Sequence, residues 1–199
     1  MLAMTVNAYV KNPQRPIVFI PVYFGYEKLI EGDAFISELG GAQKQKETLG
    51  GLVRSIKSLR DQFGKVSVNI GEPIELEPVL DGVHRDWRDY ESENGDRPSW
   101  VAGVVDQLGQ RIMENINAAA AVTPISLLAH VLLATPKQTI GVEELRRQLA
   151  VSLELLRRFQ FSDLVTLPDW TPDEIIRHGE KLDVISRSTH PMGQVIRME

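Results

Sequence analysis

The sequence predicts a mixed α/β fold, with a partial sheet unit at the amino end and a mainly helical carboxyl-terminal region. Three observations carry that reading. Ile17 to Phe24 (IVFIPVYF) is an unbroken apolar run rich in β-branched and aromatic residues, the pattern of a strand buried on both faces. Leu49, Leu52, Val53, Ile56, Leu59 and Phe63 then recur at spacings of three and four, which predicts a helix ending at Gly64. Val66, Val68 and Ile70 alternate with polar residues as a second strand, broken by Gly71 and Pro73.

Within the first run, Pro21 has no N–H to give a ladder, so it belongs where pairing stops. Irregular backbone at the carboxyl end of a strand is where α/β sheets form ligand crevices. Glu72 to Asp96 changes character: nine acids stand against Arg85 and Arg88, a local charge of −7. With Gly82, Gly95 and Pro98 this predicts an exposed acidic loop anchored by Trp87. The division expected is therefore 1–80 for the α/β part, 81–98 for the acidic loop and 99–199 for the helical region.

In that last region Ser99 is placed to cap a helix with Val101, Val104, Val105, Leu108, Ile112 and Ile116 on one stripe. Thr123-Pro124 opens the next helix. A third follows Gly141, with Leu145, Leu149, Leu153, Leu156 and Phe159 inward and Arg146, Arg147, Arg157 and Arg158 outward. Thr171-Pro172-Asp173-Glu174 starts the last. His130 reads as a core or interface residue, and His178 and His190 as surface residues.

Composition excludes several classes of function. The 199 residues include no cysteine, so disulfides, thiolate metal sites and cysteine nucleophiles are out. No His/Asp/Glu grouping has metal-site spacing, and no glycine-rich phosphate loop is present. A net charge of −5 and a pI near 5.5 argue against nucleic acid, even though Thr123 to Phe159 reads as helix, turn, helix with paired arginines on the second helix. The most apolar window, Ala118 to Ala134, is interrupted by Pro124 and falls short of the roughly 20 residues a membrane span needs.

The block IVFIPVYFGYEKL (Ile17 to Leu29) resembles the fourth sequence block of the bacterial membrane-associated glycerol-3-phosphate acyltransferases. GGAQKQKETLGGLVRSIKSL, VNIGEPIEL and VHRDWRDY also resemble that family, in order, and the likeness continues through the helical tail. The resemblance implies a fatty acyl transfer from acyl-CoA or acyl carrier protein to sn-glycerol 3-phosphate, giving lysophosphatidate. It implies peripheral attachment to the cytoplasmic side of the cell inner membrane, on anionic phospholipid, and no metal or redox cofactor. A 1–199 chain released from that context would be cytoplasmic.

In the family a His-x-x-x-x-Asp block, a glycerophosphate-binding block and a Gly/Arg-rich block precede this region. None of the three is found in its place here, and Met1 to Thr5 resembles the stretch after the last of them. The expectation is a C-terminal part of a longer enzyme, inactive alone. By resemblance Ile20, Pro21, Val22 and Tyr23 border the acyl-donor pocket, although a buried strand ending in proline would look the same. Lys44 and Lys46 are candidate phosphate contacts, with a solvated helix start as the alternative. The spacing His84 to Asp89 imitates the catalytic motif, but its acidic surroundings would repel phosphates. A different reading of the whole chain is a non-catalytic helical module that docks on a membrane or another polypeptide.

Overall fold

A computed structural model describes residues 1–28, 64–90, 98–191 and 193–199. The helix expected over 49–63, together with Lys44 and Lys46, lies outside the described residues, as does 91–97 of the acidic stretch. The chain is mixed α/β and divides into two compact units. The first holds the described parts of Met1–Tyr23 and Val68–Ala120 with Phe161–Val165; the second holds those of Phe24–Ser67, Ala121–Gln160 and Thr166–Glu199.

The first unit is built on α1 (Leu2–Lys11), α2 (Leu76–Val83) and α3 (Val101–Ala118). Each turns an i, i+3, i+4 stripe inward: Val6, Tyr9 and Val10; Leu76, Val79 and Leu80; Val101, Val104 and Leu108. Trp87, in a 3₁₀ turn over Trp87–Asp89, is 1% exposed and completes the core. Two expectations are corrected here. The acidic segment is not a loop over 81–90, because α2 runs to Val83 and the 3₁₀ turn follows. Leu80, Trp87 and Val101 share one core, although boundaries at 80 and 98 fall between them. The acidic side chains stay outside while the apolar ones between them point in, so charge count concealed an amphipathic helix. The second correction is the cap of α3: Trp100 is the N-cap residue, without a side-chain bond, and Ser99 precedes it.

The apolar run at Ile17 is also not one strand. It forms β1 (Val18–Phe19) and β2 (Val22–Tyr26), parted at Ile20-Pro21. On the other side β3 (Val66–Ile70) and β4 (Ile74–Glu75) are parted at Gly71 to Pro73. β1 pairs antiparallel with β4, Val18 opposite Glu75 and Phe19 opposite Ile74, and β2 pairs with β3. Neither face is uniformly buried, since Ile20, Phe24, Val66, Val68 and Ile70 are all more than half exposed. Alternation in β3 therefore marks an apolar face turned outward, the reverse of the usual inward assignment.

The second unit has an aliphatic core of Leu127, Leu128, Leu132, Leu145, Leu149, Ile175, Ile176, Ile185 and Ile196. It is made by α4 (Pro124–Leu133), α5 (Val142–Arg158), α6 (Pro172–Lys181) and a sheet in the order β5 (Thr139–Gly141), β7 (Gly193–Met198), β6 (Ile185–His190). α4 and α6 open as expected, each with a capping box, Thr123 with Ser126 and Thr171 with Glu174. The sheet adds three strands to the region expected to be mainly helical. Ile140, Ile185 and Ile196 are its only fully buried side chains, too sparse a signal for strand periodicity to register. Phe159, expected inward, is the C-cap of α5 and 68% exposed, and His130 is exposed on α4, which corrects the core alternative of its reading.

Candidate functional site

The four residues singled out by resemblance sit at the break in the first strand pair. Pro21 is buried, Val22 and Tyr23 are half-buried, and Ile20 faces outward. The break is constructed rather than frayed. Pro21 cannot donate, but its carbonyl accepts the Gly71 N–H at 2.9 Å, so the two interruptions face each other. Gly71 is required there, because a Cβ would lie 2.6 Å from the Asn115 carbonyl oxygen. Asn115 Nδ2 donates to the Glu72 carbonyl at 2.7 Å, and Asn69 Nδ2 to the Ala119 carbonyl at 2.8 Å. The Asn115 amide thus takes up an acceptor that the broken ladder leaves over, and the Asn69 amide one at the carboxyl end of α3.

The His84 and Asp89 spacing is not assembled into a pair. The His84 ring stacks on Trp100 at 4.7 Å between centroids, and no hydrogen bond or ion pair joins it to Asp89. What this segment builds instead is a frame for Trp87. Asp81 accepts from Trp87 Nε1 at 2.8 Å and from Arg88, whose other nitrogen reaches Glu77; Glu77 in turn accepts the Tyr9 hydroxyl. Burial raises the Tyr9 pKa to about 12, helped by the Glu77 bond. The Glu77 carboxyl is held below the usual carboxylate range by its Tyr9 and Arg88 bonds, and that of Asp81 by Trp87 and Arg88.

A second pair was not visible in the sequence. Glu27, one residue beyond β2, has a side chain only 1% exposed. Its Oε2 lies 2.8 Å from His178 Nε2 of α6 and accepts the Lys65 N–H at 2.8 Å, while Oε1 is buried without a hydrogen bond among the described residues. The His178 side chain is 14% exposed, which corrects its reading as a surface residue. Its ring meets Trp170 edge-on at 4.9 Å, and Lys65 Nζ lies 4.5 Å above the Trp170 ring. Gly64, at φ +75°, leaves room for all this: a Cβ would lie 2.4 Å from Glu27 Oε2. Glu27 and His178 are 151 residues apart, so no local pattern could announce them. His178 and Asp183 repeat the His-x-x-x-x-Asp spacing, a match not singled out above, but the imidazole Nε2 is directed to Glu27.

Among the described residues no group of His, Asp and Glu could hold a metal ion, and no helix is long and apolar enough to cross a membrane. The arginines of α5 are largely occupied. Arg146 binds Asp173 and Glu143, and Arg147 binds Glu144. They line an open groove of about 580 Å³ at the start of α5, where Arg187 is likewise held by Glu180.

Residues 35–199 match the family described as glycerol-3-phosphate acyltransferase C-terminal region. The chain belongs to that family. A glycerol-3-phosphate acyltransferase of Xanthomonas axonopodis pv. citri is 44% identical over 98% of the chain, and one of Xylella fastidiosa (strain M12) is 40% identical over all of it. One of Pseudomonas syringae pv. tomato is 39% identical over 98%. The chain spans 22%, 23% and 24% of these relatives, less than a quarter of each. Both structural features above fall within the aligned length, although Ile20 to Tyr23 and Glu27 precede the portion matched to the acyltransferase C-terminal family.

Proposed function

We propose that this chain is the C-terminal part of a glycerol-3-phosphate 1-O-acyltransferase. The reaction is attack of a glycerol hydroxyl on the thioester carbon of acyl-CoA or acyl carrier protein. A C–O bond forms and the C–S bond breaks; the hydroxyl proton passes to a general base and on to the departing thiolate, so that lysophosphatidate and the free thiol of the donor leave. The observation that carries this is 44% identity to an acyltransferase along nearly the whole chain. The contribution assigned to this chain is the border of the acyl-donor pocket, from Ile20, Pro21, Val22 and Tyr23. The paired breaks at Pro21 and Gly71 support it, because they fix irregular backbone where a regular ladder would have no room for a ligand. Lys44 and Lys46 are assigned phosphate contacts on sequence alone. The base is expected from another part of the enzyme, as the resemblance implies; His84 is stacked on Trp100 and His178 is turned to Glu27.

The test is acyl transfer from labelled acyl-CoA to sn-glycerol 3-phosphate. The 199-residue chain is expected to give none. A chimera in which it replaces the matched C-terminal portion of the Xanthomonas relative is expected to be active. Turnover by the chain alone overturns the assignment of the base, and a soluble, inactive chimera overturns the functional reading.

A second reading concerns attachment to the cytoplasmic face of the inner membrane. Val151, Leu155 and Phe159 are exposed at four-residue spacing along α5, with the Arg158 guanidinium 5.8 Å from the Phe159 ring. An apolar stripe beside arginine suits the interface of an anionic bilayer. Flotation with phosphatidylglycerol vesicles, lost in Leu155→Glu and absent with phosphatidylcholine, is the expected result.

A further inference from the structure

In the first unit the interrupted strands have one face covered and one exposed. Asn69 turns its amide to the Ala119 carbonyl at the end of α3, and a Cβ on Gly71 would meet the Asn115 carbonyl, so α3 covers that face. Side chains alternate along a strand, which puts Val68 and Ile70 on the opposite face. They are 55% and 65% exposed, and Val18 and Ile20, next to the break, stand at 48% and 59%. Glu75 lies opposite Val18 in register and is exposed beside it. All these residues belong to the first unit. The polarity is inverted for a sheet in water, where an exposed face ordinarily takes the polar residues and the packed face the apolar ones. Here the amide is packed and the β-branched side chains are outside. Single exposed apolar residues are ordinary, but several grouped on one face mark an interaction surface. A two-stranded ribbon also needs a further layer to be stable.

We infer that the face carrying Val18, Ile20, Val68 and Ile70 is the docking face for the remainder of the acyltransferase, which lays an apolar layer of its own across it. This rests on the functional reading above and adds the surface through which the two portions meet. Length argues for that occupant. The chain spans 22% to 24% of its relatives and matches a family described as a C-terminal region, so more than three-quarters of each relative lies outside the match. Charge argues against the other occupants. Glu72 and Glu75 are the charged residues of 17–23 and 68–75, with no lysine or arginine among them, so these strands bring nothing to hold an anionic bilayer. A symmetric pairing of two copies would bring the same carboxylates to one interface without a cation from these strands. An apolar layer from the same enzyme leaves Glu75 at the rim, where a carboxylate keeps its water.

The 199 residues contain no cysteine, so Val18→Cys, Val68→Cys and Ile70→Cys each introduce a single thiol that reports whether the face is covered. Met113→Cys, at a 57% exposed position of α3, is the reference. Maleimide labelling of each position is followed by peptide mass, in the 199-residue chain and in the chimera described above. In the chain all four thiols are expected to react at rates within about threefold of one another. In the active chimera the three face positions are expected to slow by roughly tenfold or more, while Met113→Cys keeps its rate. Equal rates in the chain and an active chimera, or equal slowing at Met113→Cys, overturn the docking face and leave the functional reading in place. Slow labelling of the face in the chain overturns it as well. Slowing that grows with protein concentration assigns the face to a second copy, slowing only with phosphatidylglycerol vesicles assigns it to a membrane, and slowing under every condition assigns it to a segment within the 199 residues. A soluble chimera without acyl transfer overturns the functional reading, and this inference with it.

Discussion

In the first unit the polar groups form a rim. Tyr9, Glu77, Arg88, Asp81 and Trp87 are joined in a chain of bonds, but the carboxylates and guanidinium stand between 40% and 50% exposed, and only the Tyr9 and Trp87 rings go inside. In the second unit the core is mostly leucine and isoleucine, and among the described residues its buried charged group is the Glu27 carboxylate, bonded to His178. The contrast shows two uses of the same chemistry. Half-exposed ion pairs contribute little each, and here they orient an indole that supplies the burial. An enclosed carboxylate–imidazole pair contributes little net stability either, but it cannot be rearranged cheaply, which suits a fixed register between a strand end and a helix.

The sharpest way to break that comparison is Trp87→Ala. Removing a fully buried indole costs about 3–5 kcal/mol, and the loss of hydrogen-exchange protection should be confined to α1, α2 and α3. A single transition that takes α4–α6 with it would show that the units do not melt separately. The counterpart in the second unit is Gly179→Ala. Its Cβ would lie 2.5 Å from Leu128 Cδ1 and 3.0 Å from Ile185 Cδ1. Overpacking of this kind costs about 1–3 kcal/mol, measurable by urea denaturation and confined to protection of the aliphatic core.

Alkaline pH sharpens the distinction further. The folded pKa of Tyr9 lies above its unfolded value, so the stability it contributes is complete below pH 10 and is lost as pH rises towards about 12. Amide exchange and near-ultraviolet signals should report that loss in the first unit, and Tyr9→Phe should abolish its pH dependence. On the acid side the depressed carboxyls of Glu77 and Asp81 contribute stability above the ordinary carboxylate range, which falls away as pH drops through their folded values. Glu174 is depressed in the same way by the Thr171 backbone, so acid weakens both units where alkali selects one. The smallest effect is Thr171→Ala. It removes the capping box of α6, costing about 1 kcal/mol, and should raise exchange at the start of that helix while the Trp87 frame stays as it is.

Much of this chain was readable without coordinates. Pro21 and Pro73 announce breaks because proline has no N–H for a ladder, and both lie at the ends of strands. Thr123 and Thr171 announce helix starts because a threonine followed by proline satisfies the first turn locally, and both caps formed. The family could be read from IVFIPVYFGYEKL and its neighbours because enough residues occur in order to be specific. The helix at Leu76 was hidden by the acids around it, and the strands at Ile185 and Gly193 by having too few buried residues to set a period.

The sequence by itself determined the family, the mixed fold class and the ends of several elements, since each of these is set by a contiguous stretch and its own backbone chemistry. Only the tertiary structure decided which apolar residues are inside, that Trp87 belongs to a core with Tyr9, that His84 stacks rather than pairs with Asp89, and that Glu27 meets His178. Those outcomes depend on which surfaces are removed from water when distant segments meet. A carboxylate and an imidazole 151 residues apart have no interaction until the fold encloses them.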